Sequence, residues 1–251
     1  MTTTVKDDDS FYLNGRYVVF QAGDTRFRVP SHTLIRESQF FADMFSLPVL
    51  ASSERTEGAS DIKPIMLPES VSAESFRSLL KILYPGALFV DKFRSDINKS
   101  EWVSILELAS MWYFLECRKM AISRLNNFLN PVEKIYHGRK HKVTFWLQQG
   151  YKDLVDRYAT ITNEEALALI TDPGSYNICT AVSLLRIREK RALKASGRLG
   201  RLPADFTEKE IQQEFEQEFR TIKEMEEAYG VVVTQAIIDR FNPITDPAYY
   251  F

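Results

Sequence analysis

The period of the apolar positions changes along the chain, and each change predicts an element. Tyr17-Val-Val-Phe-Gln-Ala22 is β-branched and aromatic, Thr25-Arg-Phe-Arg-Val29 alternates polar with apolar, and Gly23-Asp24 between them supplies turn chemistry, so a β-hairpin is predicted. Pro30-Ser31 ends the second strand. Two short helical segments follow, Thr33 to Glu37 and Ser38 to Phe45, the second capped by Ser38 and carrying Phe40, Phe41, Met44 and Phe45 on one face. Pro48 to Pro64 is polar, holds Ser52, Ser53, Gly58 and Ser60, and is expected to be a mobile loop too hydrophilic to pack. Ile65-Met-Leu67 has strand composition. Ser72 then caps a helix whose apolar face is Phe76, Leu79, Leu80, Leu83 and Tyr84, stopped by Pro85-Gly86.

From residue 100 onward the spacing is helical. Ser100 is expected to cap a helix bearing Trp102, Ile105, Leu106, Ala109, Trp112 and Tyr113, and the period continues through Cys117, Met120, Ala121, Arg124, Leu125 and Phe128. Asn130-Pro-Val-Glu133 is a strong start, because Asn caps, Pro suits the first helical position and Glu at the third closes a capping box. A second, all-helical half begins there. Phe145, Leu147, Tyr151, Leu154, Val155 and Tyr158 mark one helix, and Thr162-Asn-Glu-Glu165 opens another that Asp172-Pro-Gly174 breaks. Ile178, Val182 and Leu185 begin a third, and Gly197, Gly200 and Pro203 link it to a last long helix. That helix carries the stripe Ile211, Phe215, Phe219, Ile222, Met225, Tyr229, whose spacing is closer to 3.6 than to a strict heptad and favours packing on its own domain over a coiled coil.

Composition narrows the classes. The 251 residues are 45% apolar and 26% charged, with 32 basic against 34 acidic side chains, which suits one or two globular domains without a global pull toward nucleic acid or anionic membranes. Cys117 and Cys179 form neither a disulfide framework nor a ligand cluster, so a reducing compartment is expected. Met1 to Ser10 is polar, read as a disordered tail without signal-peptide character, and no run reaches the roughly 18 apolar residues of a membrane span. An intracellular protein of the cytoplasm or nucleus is expected.

Candidate chemistry is sparse. His137 and His141 have the spacing of a helical metal pair, but the basic neighbours Arg139 and Lys140 oppose a cation, and a solvated basic surface is the favoured reading. No nucleophile elbow or phosphate-cradling glycine run is present, so no catalytic residue, metal or cofactor is assigned. Charge is unevenly placed: Arg186, Arg188, Lys190, Arg191, Lys194, Arg198 and Arg201 are opposed in their own stretch by Glu189 alone, whereas Asp205 to Glu227 holds nine acidic and three basic residues. The two blocks either pair with each other, the favoured reading, or leave Arg186, Arg188, Arg191 and Lys194 to bind nucleic acid. Tyr249-Tyr250-Phe251 is either tucked into a groove or offered to a partner protein.

Strand, strand, two short helices, strand, helix and a helical hairpin over about 120 residues resembles the BTB/POZ domain. The residues that carry the resemblance are Tyr17-Val-Val-Phe-Gln-Ala, Phe27-Arg-Val-Pro-Ser-His-Thr-Leu, Glu37-Ser-Gln-Phe-Phe-Ala-Asp-Met-Phe45, Ile65-Met-Leu67, the Phe76 to Gly86 helix and Trp102 to Phe114. They look like the fungal branch of that family, and Pro131-Val-Glu-Lys with Thr162-Asn-Glu-Glu-Ala is similar to its helical extension. The resemblance implies an α+β, mostly helical chain: a BTB/POZ fold over 11–129, with the mobile insertion at 48–64, then an all-helical extension over 130–251. It also implies a non-catalytic protein-interaction module, with members serving as adaptors for cullin-based ubiquitin ligases or as transcription regulators.

Two departures from the family pattern bear on partners. Arg16 or Tyr17, and Thr33, stand where dimerising members keep an aspartate and a basic residue, which puts family-type homo-oligomerisation in question. Phe89-Val-Asp91 stands where cullin-binding members carry an apolar-x-Glu signature. The loop Ala87 to Lys99 is long, and its Phe89, Val90 and Phe93 either pack on their own domain or form a contact surface, making them, with Tyr249, Tyr250 and Phe251, the candidate protein-binding residues.

Overall fold

The computed structural model describes residues 16–46, 57–84, 97–171, 179–197 and 202–241. They divide into two compact units, Met1–Ala121 and Ile122–Phe251.

In the first unit, β1 (Tyr17–Ala22) and β2 (Thr25–Pro30) form the expected hairpin, with Phe20 opposite Phe27 and Ala22 opposite Thr25. β3 (Ile65–Met66) runs parallel to β1 on its other side, giving the strand order β2-β1-β3. α1 (Ser31–Glu37) and α2 (Gln39–Ser46) lie between β2 and β3 in the chain, and α3 (Ala73–Leu83) and α4 (Lys99–Met111) follow β3; α5 (Leu115–Asn126) spans the boundary between the two units. One sheet face supplies the core. Phe20 meets Phe41 at 5.9 Å and Phe76 at 5.3 Å edge-on, and Trp112 lies 5.7 Å from Phe41 and 5.8 Å from Phe76. Edge-to-face rings of this kind set positive ring edges against negative faces.

The loop expected to be mobile over 48–64 divides. Residues 47–56 lie outside the described residues, but 57–64 are docked on β1. The Val19 amide donates to the Gly58 carbonyl at 2.8 Å, and the Gly58 amide donates to Lys63 at 2.7 Å. Gly58 is buried at φ +82°, where a Cβ would stand 2.9 Å from both Val18 and Ile65. Polarity alone therefore misjudged this stretch, because β1 offers it backbone partners and a glycine lets it approach.

Ser72 caps α3 as expected, accepting from the Ser75 amide at 3.0 Å. For α4 the cap is Asn98 and not Ser100: Asn98 and Glu101 form a reciprocal capping box, and the Ser100 hydroxyl donates to the Asn98 side chain. Burial raises the Glu101 carboxyl, but the Lys81 ammonium at 2.7 Å and the Asn98 amide outweigh it and hold the group below the ordinary carboxylate range. Phe128, assigned to the α5 period, lies past the end of that helix and is exposed.

The second unit is helical. It contains α6 (Pro131–His141), α7 (Thr144–Asp156), α8 (Asn163–Thr171), α9 (Cys179–Ala195), α10 (Phe206–Glu214), α11 (Glu216–Glu227) and α12 (Gln235–Arg240). The capping boxes at Asn130/Glu133 and Thr162/Glu165 are both present. Its core gathers Ile135, Leu147, Tyr151, Leu154, Leu184, Ile187, Ile211, Phe219 and Ile222. α6 and α7 approach closely at Gly150, where a Cβ would meet the Pro131 carbonyl oxygen at 2.7 Å and Ile135 at 2.8 Å.

Packing decides which face of each helix is buried. In α7 Trp146 is fully buried, whereas Tyr158 lies beyond the helix and is exposed. In α9 Val182 and Leu185 are half exposed, and the buried face is Ala181, Leu184 and Ile187, because α7, α8 and α10 all pack on that side. The expected last long helix breaks at Phe215, whose φ −111° and ψ 18° leave the helical region, so α10 and α11 turn separately onto the core. Met225 is exposed, and its neighbour Glu226 is fully buried. The Glu226 carboxylate accepts from the Thr144 amide at 3.1 Å, at the start of α7, and from Val233 at 2.9 Å.

Gly150→Ala is expected to lower stability by about 1–3 kcal/mol through backbone overpacking, read as a lower urea midpoint at unchanged slope. Glu165 supplies a pH signature. Arg157 holds its carboxyl below the ordinary range against burial, with help from the Thr162 amide. Its contribution is therefore complete above the ordinary carboxylate range and is lost as pH falls through the lowered value. Melting curves across that range should lose part of their acid dependence in Glu165→Gln.

Candidate protein-binding surfaces

In the first unit one serine organises an apolar corner. Ser38 follows α1, and its hydroxyl oxygen accepts from the Phe41 amide at 3.2 Å while the hydroxyl donates to the Trp112 carbonyl at 2.5 Å. The chain then turns at Tyr113, which takes φ 55°, and the Phe114 amide returns to Ala109 at 2.9 Å. Phe41, Trp112 and Phe114 are buried together by these bonds. Their chain neighbours Phe40, Met111 and Tyr113 cannot also point inward and, like Ile35 of α1, remain 40–46% exposed. The expected single face of Phe40, Phe41, Met44 and Phe45 thus resolves into a buried Phe41 and an exposed Phe40. Two adjacent aromatics on a helix are about 100° apart, and that was the available signal.

Tyr84, at the end of α3, donates its hydroxyl to the Pro30 carbonyl at 2.6 Å. Burial pushes the Tyr84 hydroxyl up, and the Thr33 side chain opposes it only partly.

In the second unit the basic and acidic blocks meet as an antiparallel helix pair. Arg186 faces Glu214 at 3.5 Å, Lys190 faces Glu210 at 2.7 Å, and the Lys194 ammonium lies 5.0 Å over the Phe206 ring. Each rung is one turn further along α9 and one turn back along α10. Arg191 reaches Asp156 at 3.4 Å, and Arg188 turns inward to donate to the carbonyls of Leu154 and Ala159. All four cations proposed for nucleic acid are therefore engaged within this unit; Arg198 and Arg201 lie outside the described residues.

The expected solvated face around His137 is also corrected. Gly138, Arg139 and His141 are buried, and the two imidazoles stack 5.6 Å apart. Among the described residues no three His, Cys, Asp or Glu side chains form a metal-binding group. A cavity of about 270 Å³ between α7, α10 and α11 is lined by Gln148, Gln149, Gln212, Ile211, Phe219 and the Lys152–Glu208 ion pair. No helix among the described residues is long and apolar enough to cross a membrane.

The family model of the BTB/POZ domain matches residues 17–128. The chain carries a BTB/POZ domain. The small sheet and its helices are this BTB/POZ fold, and the remaining helices extend it. No curated protein and no solved structure matches the chain. BTB/POZ domains are protein–protein interaction modules, and the apolar corner at Phe40 and Tyr113 belongs to that domain. Phe89, Val90, Phe93, Tyr249, Tyr250 and Phe251, the residues singled out from sequence, lie outside the described residues.

The α9–α10 rungs predict a charge-swap result. Lys190→Glu and Glu210→Lys should each cost a few tenths of a kcal/mol, discounted for their partial exposure, and the double swap should recover most of the loss in urea titrations.

Proposed function

We infer that this chain is an adaptor, in which the BTB/POZ domain docks on a cullin-based ubiquitin ligase and the helical extension over 130–251 carries the recruited protein. The observation that carries this reading is the BTB/POZ match over 17–128, joined to a chain that extends it by a second compact helical unit. The segment Ala87 to Lys99 would supply the docking contact through Phe89, Val90 and Phe93. Its support is local: Ile97, at the end of that segment, is buried, and the Asn98/Glu101 capping box with the Lys81–Glu101 pair ties α4 to α3. Such an adaptor belongs in the cytoplasm or nucleus.

Pull-down of the cognate cullin by the full chain tests the reading. Capture by wild type and its loss in Phe89→Ala/Phe93→Ala, with melting temperature unchanged, is the expected outcome. Failure of the wild-type chain to capture a cullin would remove the adaptor role and leave the interaction module.

A further inference from the structure

β2 is the outer strand of its sheet: among the described residues it pairs with β1 alone. The register decides which of its residues face the open edge. Ala22 and Thr25 close the two-residue turn, and antiparallel pairs alternate between bonded and non-bonded, so Gln21 opposite Arg26 and Val19 opposite Arg28 are non-bonded pairs. The far side of β1 has the same phase. The Val19 amide donates to Gly58 and the Gln21 carbonyl accepts from Leu67 at 2.9 Å, so both residues direct these groups away from β2. By the same alternation Arg26 and Arg28 turn their N–H and C=O groups outward.

The two arginine side chains stand on one sheet face and are exposed. Arg26 donates to the Asp61 carbonyl at 2.8 Å, and the Arg28 guanidinium lies 5.8 Å over the Tyr17 ring. Both contacts lie on the β1 side of the strand, and neither supplies an anion. On the opposite face Arg77 lies 5.7 Å over Phe27, adding a third cation beside the same strand. An edge with outward backbone groups at two alternate residues, each carrying an exposed positive charge on the same face, is complementary to an extended chain with carboxylates at the same two-residue repeat.

We propose that β2 is a docking edge for an extended acidic segment of a partner protein, with Asp or Glu at every second residue, which adds to the sheet as a fourth strand. Backbone hydrogen bonds to Arg26 and Arg28 hold the segment, and their side chains select its charge. Pro30, which has no N–H, limits the pairing to the strand before it. The proposal rests on the interaction-module reading and adds a second contact, separate from the cullin-docking segment.

The test uses the full chain and three synthetic peptides: one alternating Glu with Val, one with Lys in place of Glu, and the Glu–Val peptide N-methylated at alternate residues. Binding is measured by calorimetry and located by hydrogen–deuterium exchange. The Glu–Val peptide should bind and protect the 25–30 stretch, the other two should not, and Arg26→Glu/Arg28→Glu should weaken binding about tenfold or more with the melting temperature retained. The N-methylated peptide changes nothing in the protein, so it decides the matter even if the double variant unfolds. Absence of binding, equal binding of the N-methylated peptide, or protection away from β2 overturns the proposal; the arginines then only guard the edge against self-pairing. Wild-type chain that captures a cullin and ignores the peptide overturns the edge alone. Chain that binds the peptide and captures no cullin overturns the adaptor reading alone.

Discussion

A guanidinium buried without partners costs several kcal/mol, and the second unit is assembled around one that has them. Arg139 of α6 is 5% exposed. Its Nε donates to Glu218 of α11 at 2.7 Å, and one terminal nitrogen donates to the Tyr151 hydroxyl of α7 and to Thr180 of α9, each at 2.9 Å. The Tyr151 hydroxyl in turn donates to the second Glu218 oxygen at 2.7 Å. Burial, followed by the Glu218 charge, pushes that hydroxyl well above its ordinary value, so it stays protonated and remains a donor. Apolar surfaces slide past one another at little cost, but four helices that must converge on a single charge have one register.

Around that centre the other polar contacts are consequences. Once α9 and α11 are placed, the rungs between Arg186, Lys190 and the carboxylates of α10 follow, and Glu226 comes to the start of α7. In the BTB/POZ domain the corresponding constraint is β1, which has to satisfy backbone groups on both sides. β2 and the Gly58 turn supply them, and Phe20 nucleates the ring cluster beneath. The surface that this arrangement leaves over includes the exposed neighbours of Phe41 and Trp112 and, among the described residues, the outer edge of β2.

Features confined to a few consecutive residues were legible. The Asn130/Glu133 and Thr162/Glu165 boxes, the Ser72 cap and the Gly23-Asp24 hairpin each depend on partners within three residues, so the residue types alone predict them. The Asn98/Glu101 box obeys the same rule and was overlooked in favour of Ser100, although its pattern was available. The choice of face was not legible. Val182 and Leu185 have the spacing of a buried face, as do Leu184 and Ile187, and only the position of neighbouring helices separates them. The break at Phe215 and the burial of Glu226 in place of Met225 have the same origin, since both depend on residues distant in the chain. At the surface, the Met111-Trp-Tyr-Phe run signalled that some aromatics must face out without saying which.

The sequence by itself determined the element order, the BTB/POZ pattern over the first half, the helical character of the second and the adjacency of a basic and an acidic block. These follow from turn chemistry, capping and hydrophobic period, which act over one or two turns of chain. Tertiary structure decided which faces are buried, that Arg186, Arg188, Arg191 and Lys194 are engaged within their own unit, and that Ile35, Phe40, Met111 and Tyr113 remain outside. The physical reason is that burial and charge neutralisation are properties of pairs: a side chain's spacing says that it needs a partner, and only the packed chain says which one it receives.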